Sequence, residues 1–487
     1  MNGVLLGSAL GVAAFLAAVG VVLCVAVVLH WQRDREQGLI PYIFYPTVFL
    51  AVLAVVVSGR NLNLPLDLVG AAVNKNLLVT WGNRITSVFL LLAAAERIGN
   101  RLLHMGTKPL SPTPLVLAFC LFFLTNVVTS GLFASHPSFS HYYIYTFLAG
   151  CAALLAASPD GDIAIRSARN ALFASLVLSA ACAVWRPEMV LSRDYEGLIP
   201  WLRVRYAGLS NSPNALGALV VLFLLCLWSR PYSRRWLSLL GWMIGCASLL
   251  LSQSKTSWIA FAFCASCFAY FRHGDLLAQH VFSFGRPLLL QLSILVGMLI
   301  GCYIGIALMF GGVVERAADF FATTEGASLL TLTGRDRIWE VAAQEWRHNP
   351  LFGYGLTIWN DEYRAEMGLR AAFNAHSQFY QSLASAGLFG VAGLSIYVLT
   401  LFWFVLKTTR ASQGLTLALF LLLFIQSISE VPLSMTTGYG LVQLPHLLLL
   451  IVLASQFASR RTEPLGATTP WGVKRVKAKV SRNRLQV

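Results

Sequence analysis

Residues Thr333–Gly390 read TGRDRIWEVAAQEWRHNPLFGYGLTIWNDEYRAEMGLRAAFNAHSQFYQSLASAGLFG, the one long polar interval in a chain that otherwise alternates between apolar runs and short connections. The interval holds Arg335, Arg337, Arg347, Arg364 and Arg370 upstream of His376, which stands at the mouth of the next apolar run. The flanking runs decide the fold. A hydrophobic fraction of 57%, a charged fraction of 12% and a mean hydropathy of +0.67 lie far from the roughly 25% charged residues of soluble domains. Many runs approach or exceed the ~20 residues that cross a bilayer as a helix. The chain therefore reads as an all-α polytopic membrane protein.

Spans are expected near 4–29, 39–58, 77–96, 113–134, 139–157, 168–185, 214–229, 235–252, 256–271, 288–311, 380–406, 414–430 and 440–458, twelve or thirteen in all. The third contains Asn83 and Arg84; an arginine at that depth is expected to face protein or a water-filled cleft. The first run, from Val4, has no basic leading region and no small-residue cleavage pattern, so it reads as a retained span. These runs divide the chain into N-terminal helices over 1–185, a loop over 186–213, central helices over 214–311, a large loop over 312–379, C-terminal helices over 380–458 and a basic tail over 459–487.

Arg33 and Arg35; Arg97, Arg101 and Lys108; Arg166 and Arg169; Arg230, Arg234 and Arg235; Arg272 and Arg286; Lys407 and Arg410; and the tail fall on alternate connections. Those connections are cytoplasmic by the positive-inside rule, and the loops at 186–213 and 312–379 are then outside. Both outer loops keep arginines against that bias, which an anionic ligand would explain. The net charge of +15 is concentrated in part in the tail (Arg460, Arg461, Lys474, Arg475, Lys477, Lys479, Arg482, Arg484). A basic segment after a final span is an anchor against anionic membrane lipid, and no nucleic-acid partner is expected. The nine cysteines all fall within expected spans and read as buried apolar side chains, Cys264-x-x-Cys267 included.

Three constellations can carry chemistry. In Arg203–Gly217 (RVRYAGLSNSPNALG), Asn211 or Ser212 can cap a helix with Pro213 at its first position. Arg205 lies just upstream of those free amides, a pairing that suits phosphate oxygens; a headgroup-level arginine is the plainer alternative. From Thr333, with Asp336 as a second capping side chain, Ile338, Trp339, Ala342, Ala343 and Trp346 recur at helical spacing. That helix would lie at the membrane interface with Arg335 at its positive end, as a diphosphate grip or merely as a solvated cation. His376-Ser377 opens a span, and Gly387 lies three helical turns on, which puts it on the same face. A histidine at the membrane edge can accept a hydroxyl proton, or simply cap the span. Lys255 and Glu430 are charges at outer span ends, open to ligand, ion-pair or snorkelling roles, whereas His141, His348 and His446 read as structural.

R-x-x-G-x-x-x-x-P-N (Arg205, Gly208, Pro213, Asn214), T-G-R-x-x-I-W (Thr333–Trp339), N-P-L-F-G-Y-G (Asn349–Gly355) and H-S-x9-G-x-x-G (His376–Gly390) together resemble the bacterial O-antigen ligase and polysaccharide polymerase superfamily. The resemblance covers about Arg203–Gly390. It implies an inverting, metal-independent glycosyltransferase of C-type architecture in the inner membrane, with a large periplasmic loop and no cofactor. Its donor would be a polyprenyl diphosphate-linked oligosaccharide. By motif, Arg205 and Arg335 would bind the diphosphate, with Arg337 a neighbouring substitute, and His376 would be the base. Asn214, Lys255 and Glu430 would be further substrate-contacting candidates. Fixed arginines would stabilise the charge developing on the leaving diphosphate.

Two acceptors compete: a lipid-linked repeat unit, as in a polymerase, or the lipid A-core, as in a ligase. Val391 and Ala392 follow Gly390 where ligases of the family often carry two threonines. With Lys255-Thr256 and Glu430, this makes the chain look more like an exopolysaccharide or O-antigen polymerase, for which chain-length regulators and export proteins would be partners. A lipid-linked oligosaccharide flippase is the alternative of another class. It would need charges through the membrane depth and related halves, whereas the candidates here share one side.

Overall fold

The run PNALGALVVLFLLCLWS at Pro213–Ser229 has no polar face, and a helix that is apolar all round has to be surrounded. In the computed structural model it is a central helix, with Val220 to Leu227 fully buried. The structure describes residues 38–63, 76–103, 112–193, 195, 202–282, 335–369, 372–436 and 440–459. The expected spans at 4–29 and 288–311, the basic tail, Thr333, Gly334 and Arg370 lie outside the described residues.

In chain order the elements are α1 (Phe44–Ser58), α2 (Leu77–Leu103), α3 (Thr113–Phe133, with a π turn at Leu124–Val128), α4 (Tyr142–Leu154) and α5 (Asp160–Trp185). A short antiparallel pair follows, β1 (Leu191–Arg193) with β2 (Val204–Tyr206), placing Ser192 opposite Arg205. Then come α6 (Pro213–Ser229), α7 (Arg235–Ser252), α8 (Lys255–Phe282), α9 (Arg335–His348) and α10 (Asp361–Glu366). The last are α11 (Gln378–Thr408), α12 (Leu415–Ser429) and α13 (Leu444–Ser459). Among the described residues, seven helices are long and apolar enough to cross a membrane, and α4, α6 and α12 are shorter apolar helices. The protein is thus an all-α polytopic membrane protein.

Helices α6 and α13 form the interior, and the others wrap them: α6 packs on α5, α7 and α8, and α13 on α4, α5 and α12. The outer helices bury one side and leave Leu117, Leu399, Trp403 and Phe424 exposed on the other, the arrangement expected where lipid is the solvent.

Helix ends alternate between two faces of the bundle, and hydrogen bonds knit each face. On one, Arg97 pairs with Asp160 at 2.6 Å, Gly38 N–H donates to the same carboxylate, and Leu39 N–H donates to Glu96. Arg230 and Arg166 share Asp162 there. On the opposite face the connections after α1, α3, α5, α7 and α12 meet the segments leading into α6, α8 and α11. Arg60 donates to the carbonyls of Met189, Gly208 and Ser210; Ser135 and His136 N–H donate to Gly353 and Tyr354; Leu433 N–H donates to Gln378 Oε1. Every described candidate site residue lies on this second face.

Among the described residues Arg84 lies on the exposed side of α2 with its guanidinium 5.1 Å from the Trp81 ring centre, so a neighbouring aromatic on its own helix partners it. One expectation changes: Gly387 does not sit three regular turns beyond His376, because α11 is broken at that glycine (φ 62°, ψ −156°).

Candidate functional site

The break explains two glycine motifs at once. The first half of α11, Gln378–Ala386, ends against the loop Asn349–Gly355, whose backbone takes over the ladder: Tyr354 N–H donates to Ala384 O, while Leu388 and Phe389 N–H donate to Pro350 and Leu351 O. The loop itself turns on Asn349, whose Oδ1 accepts from Phe352 N–H at 3.2 Å and whose amide donates to Phe133 O. What approaches Gly387 is therefore protein backbone, and His376 rides on a short half-helix clamped by that loop. Asn126, in the π turn of α3, donates to Gly390 O at 2.8 Å and ties down the other side.

His376 precedes Ser377, the N-cap residue of α11, and has φ 47°, in the left-handed region. For a non-glycine residue that costs of order 1–3 kcal/mol and persists only where neighbours enforce it. They do so here: Ala375 is gripped by Trp339 Nε1–H on its carbonyl (2.9 Å) and by Gln381 Oε1 on its amide (3.0 Å), and His376 N–H donates to Asn374 Oδ1 (2.7 Å). Trp339 also stacks on Tyr380 at 4.9 Å, so α9 is docked on the half-helix that carries the histidine.

The imidazole Nδ1 lies 3.5 Å from Glu430 Oε2, and Glu430 Oε1 lies 4.0 Å from Arg335 Nη2. One carboxylate thus stands between the histidine and the arginine. Arg335 and Glu430 side chains are only 12% and 16% exposed. Even so, among the described residues Arg335 Nη1 and His376 Nδ1 are buried without a hydrogen-bond partner. Burial lowers the Arg335 pKa and the Glu430 charge opposes that shift. At 4 Å and an effective dielectric near 20 the attraction is about 4 kcal/mol before desolvation is subtracted. The orphaned Nη1 leaves Arg335 with donor capacity for an anion.

Arg205 belongs to a second set on the same face. It donates through Nε to Ser252 O (3.2 Å) and through Nη2 to Asn214 Oδ1 (2.8 Å), and lies 4.7 Å from the Tyr195 ring centre. Burial lowers its pKa, with Tyr195 opposing. Ser212 is the residue that caps α6, accepting from Ala215 N–H, with Pro213 first in the helix. Lys255 opens α8 three residues beyond Ser252. Among the described residues, no hydrogen bond or ion pair joins the Arg205–Asn214 set to Arg335, Glu430 and His376. Arg337 points elsewhere, donating to Met367 O at 3.3 Å from the exposed side of α9. His446 bonds Tyr397 at 2.6 Å in the bundle interior, His348 pairs with Glu345, and His141 packs against the Tyr142 ring in a tilted contact.

Sequence reasoning missed the supports. Arg60 bonds three carbonyls of the segment carrying Arg205, and burial lowers its pKa to about 10. The signal was present: Arg60 is another basic residue on a connection that charge alternation puts outside. Gln253, in left-handed conformation, donates to Leu202 and Val204 O and fixes the strand bearing Arg205. Nothing in the one-dimensional pattern pointed to Asn374 or Gln381.

An apolar groove of about 580 Å³ runs between α11 and α12. It starts at Ser377 and Gln378, next to His376, has Trp339 at its rim, and continues past Leu394, Val398 and Phe424. Its α11 wall is made by Ser377–Tyr380 before the break at Gly387 and by Leu394, Ser395, Val398, Leu399 and Leu401 after it.

A polytopic helical membrane protein with a half-buried Arg–Glu–His cluster on one face and an apolar groove beside it is the class that fold and site define. Residues 240–395 match the O-Antigen ligase family. The chain is also similar to the exopolysaccharide production protein ExoQ of Rhizobium meliloti (strain 1021), 26% identical over 171 residues, an alignment covering 33% of this chain and 36% of that protein. The chain thus spans about a third of the length of the curated relative it matches. Both matches, each over about a third of the chain, support an O-antigen ligase or polymerase family relationship for that stretch. The matched stretch includes Arg335 and His376; Arg205 and Glu430 lie outside it.

Proposed function

We propose that the protein is an inverting membrane glycosyltransferase. It moves a saccharide from a polyprenyl diphosphate donor to a sugar hydroxyl on the periplasmic side, and polymerises repeat units of a surface polysaccharide. The observation that carries this reading is the juxtaposition of a base and a cation with donor capacity at the mouth of an apolar groove: His376, Arg335 and the α11–α12 slot. The polyprenyl chain of the donor fits the groove, the diphosphate fits Arg335 with Arg205 on the same face, and the acceptor hydroxyl fits against His376.

In the reaction the acceptor oxygen attacks the anomeric carbon while the bond from that carbon to the diphosphate oxygen breaks. The electron pair leaves on the diphosphate, where Arg335 balances the growing charge, and the hydroxyl proton passes to the imidazole. A positioned base contributes about 10²–10⁴-fold to such a step. Pre-set cationic groups in a water-poor site lower the barrier because they need no reorganisation as charge develops.

The relative's printed description, exopolysaccharide production, favours polymerisation; the family's description, O-Antigen ligase, is the specific observation behind a second reading, transfer of finished polymer to a lipid acceptor. Purified protein reconstituted in liposomes with a polyprenyl diphosphate-linked repeat unit separates them. A ladder of lengthening products from that single substrate is expected. Transfer that occurs only when a lipid A-core acceptor is added supports the ligase, and no transfer to either acceptor overturns both.

A further inference from the structure

Glu430 is placed where a purely structural carboxylate gains little. It directly follows the last residue of α12, at the negative end of that helix, where a second negative charge is unfavourable. Its two contacts, 3.5 Å to His376 Nδ1 and 4.0 Å to Arg335 Nη2, are both longer than the 2.7–2.9 Å of a closed charge-assisted bond. The carboxylate sits between two partners and is committed to neither. Both partners keep a buried nitrogen unbonded, and they come from segments that meet only through tertiary packing, α9 and the start of α11.

We propose that Glu430 is an exchangeable counterion that couples donor binding to activation of the base, an inference that rests on the functional reading above. With the donor absent, Glu430 is shared, 3.5 Å from His376 Nδ1 and 4.0 Å from Arg335 Nη2. When the diphosphate arrives it takes over Arg335, and its negative charge repels the carboxylate toward His376. Glu430 then accepts from Nδ1–H, which fixes the tautomer whose Nε2 lone pair is free to take the acceptor proton. As the new glycosidic bond forms and the anomeric carbon–diphosphate bond breaks, the proton ends on His376. Glu430 pairs with the resulting imidazolium, and Arg335 with the departing diphosphate. The arrangement leaves the base only loosely supported until the leaving group is in place, which disfavours attack by a hydroxyl when no donor is bound. Glu430 is thereby a positioning residue, acting through His376 and Arg335.

The test is Glu430→Gln, which keeps the shape and removes the charge, with Glu430→Asp as the charge-keeping comparison. Steady-state transfer from a short-chain polyprenyl diphosphate-linked sugar is measured for the wild type and both variants. For Glu430→Gln the donor KM is expected to stay level or fall, because Arg335 loses its competitor. Its kcat is expected to drop by about 10⁴-fold, the order seen when a histidine base loses its orienting carboxylate. Glu430→Asp is expected to recover at least tenfold of that loss. A raised donor KM with wild-type kcat makes Glu430 a substrate contact, and equal losses in the Gln and Asp variants make it a packing element; either result overturns the exchange.

A measurement on the wild-type chain stands even where the Gln variant does not fold. The His376 side chain is followed by ¹⁵N spectroscopy, assigned by difference against His376→Asn, during titration with a short-chain polyprenyl diphosphate. A move of Nδ1 to the hydrogen-bonded, protonated position on binding supports the exchange, and an unchanged imidazole in the saturated complex overturns it. If the wild type neither binds nor uses the lipid diphosphate, the functional reading fails; if it transfers sugar without these responses, only the role of Glu430 fails.

Discussion

Gly353 and Gly387 close on each other across a gap that no side chain fits. A Cβ on Gly387 would stand 2.4 Å from the Leu351 carbonyl, and one on Gly353 would stand 2.6 Å from Ala384 O and 2.9 Å from Gly387 N. Both glycines also have positive φ, 62° and 70°. This contact breaks α11 and sets where its first half, with His376 at its head, points.

Gly387→Ala and Gly353→Ala are each expected to destabilise the protein by about 3 kcal/mol or more, since a left-handed backbone penalty adds to a backbone clash. Gly99→Ala in α2, where a Cβ meets nothing within 4 Å, is the control and stays within about 1 kcal/mol of wild type. Thermal unfolding in detergent, followed with transfer activity, checks all three.

His376→Asn keeps a residue that tolerates left-handed backbone while removing the base. Transfer is expected to fall by about 10²–10⁴-fold with the melting temperature unchanged. In a producing strain the same variant accumulates lipid-linked repeat units, and long polymer disappears. Undiminished polymer length would remove His376 from the mechanism.

The two arginines separate by what each holds. Arg335→Ala leaves Glu430 without its cation but frees no buried backbone group, so weakened donor recognition dominates and stability changes little. Arg205→Ala strips the hydrogen bonds from Ser252 O and Asn214 and costs about 1–3 kcal/mol of stability for the group left unpaired. Donor titrations and unfolding curves on both variants distinguish these outcomes, and wild-type donor affinity in both would remove the arginines from diphosphate recognition.

Filling the groove tests where the lipid lies. Val398→Trp and Ser427→Trp, on opposite walls, are expected to slow transfer from a long-chain donor at least tenfold while leaving a short-chain donor near wild type. Equal effects on both donors would place the chain elsewhere.

Much of this protein was legible one residue at a time. Bilayer thickness sets the length of an apolar run, and helices at 44–58, 113–133, 213–229, 235–252, 378–408 and 415–429 fall where the runs do. Capping chemistry is equally local, so Ser212 and Pro213 open α6 as their order predicts. Arg335 and His376 stood out because charged groups retained beside apolar runs need a reason. The break at Gly387 was not legible, because helical spacing assumes continuous hydrogen bonding, and the loop that interrupts it comes from more than thirty residues upstream. Glu430 was visible only as a charge at a span end. Its partners lie 54 and 95 positions away in sequence, and a long-range pair leaves no periodic trace. Local propensity and hydropathy thus determine the helices, whereas the meeting of Arg335, Glu430 and His376, and the groove beside them, was decided by how α9, α11 and α12 pack.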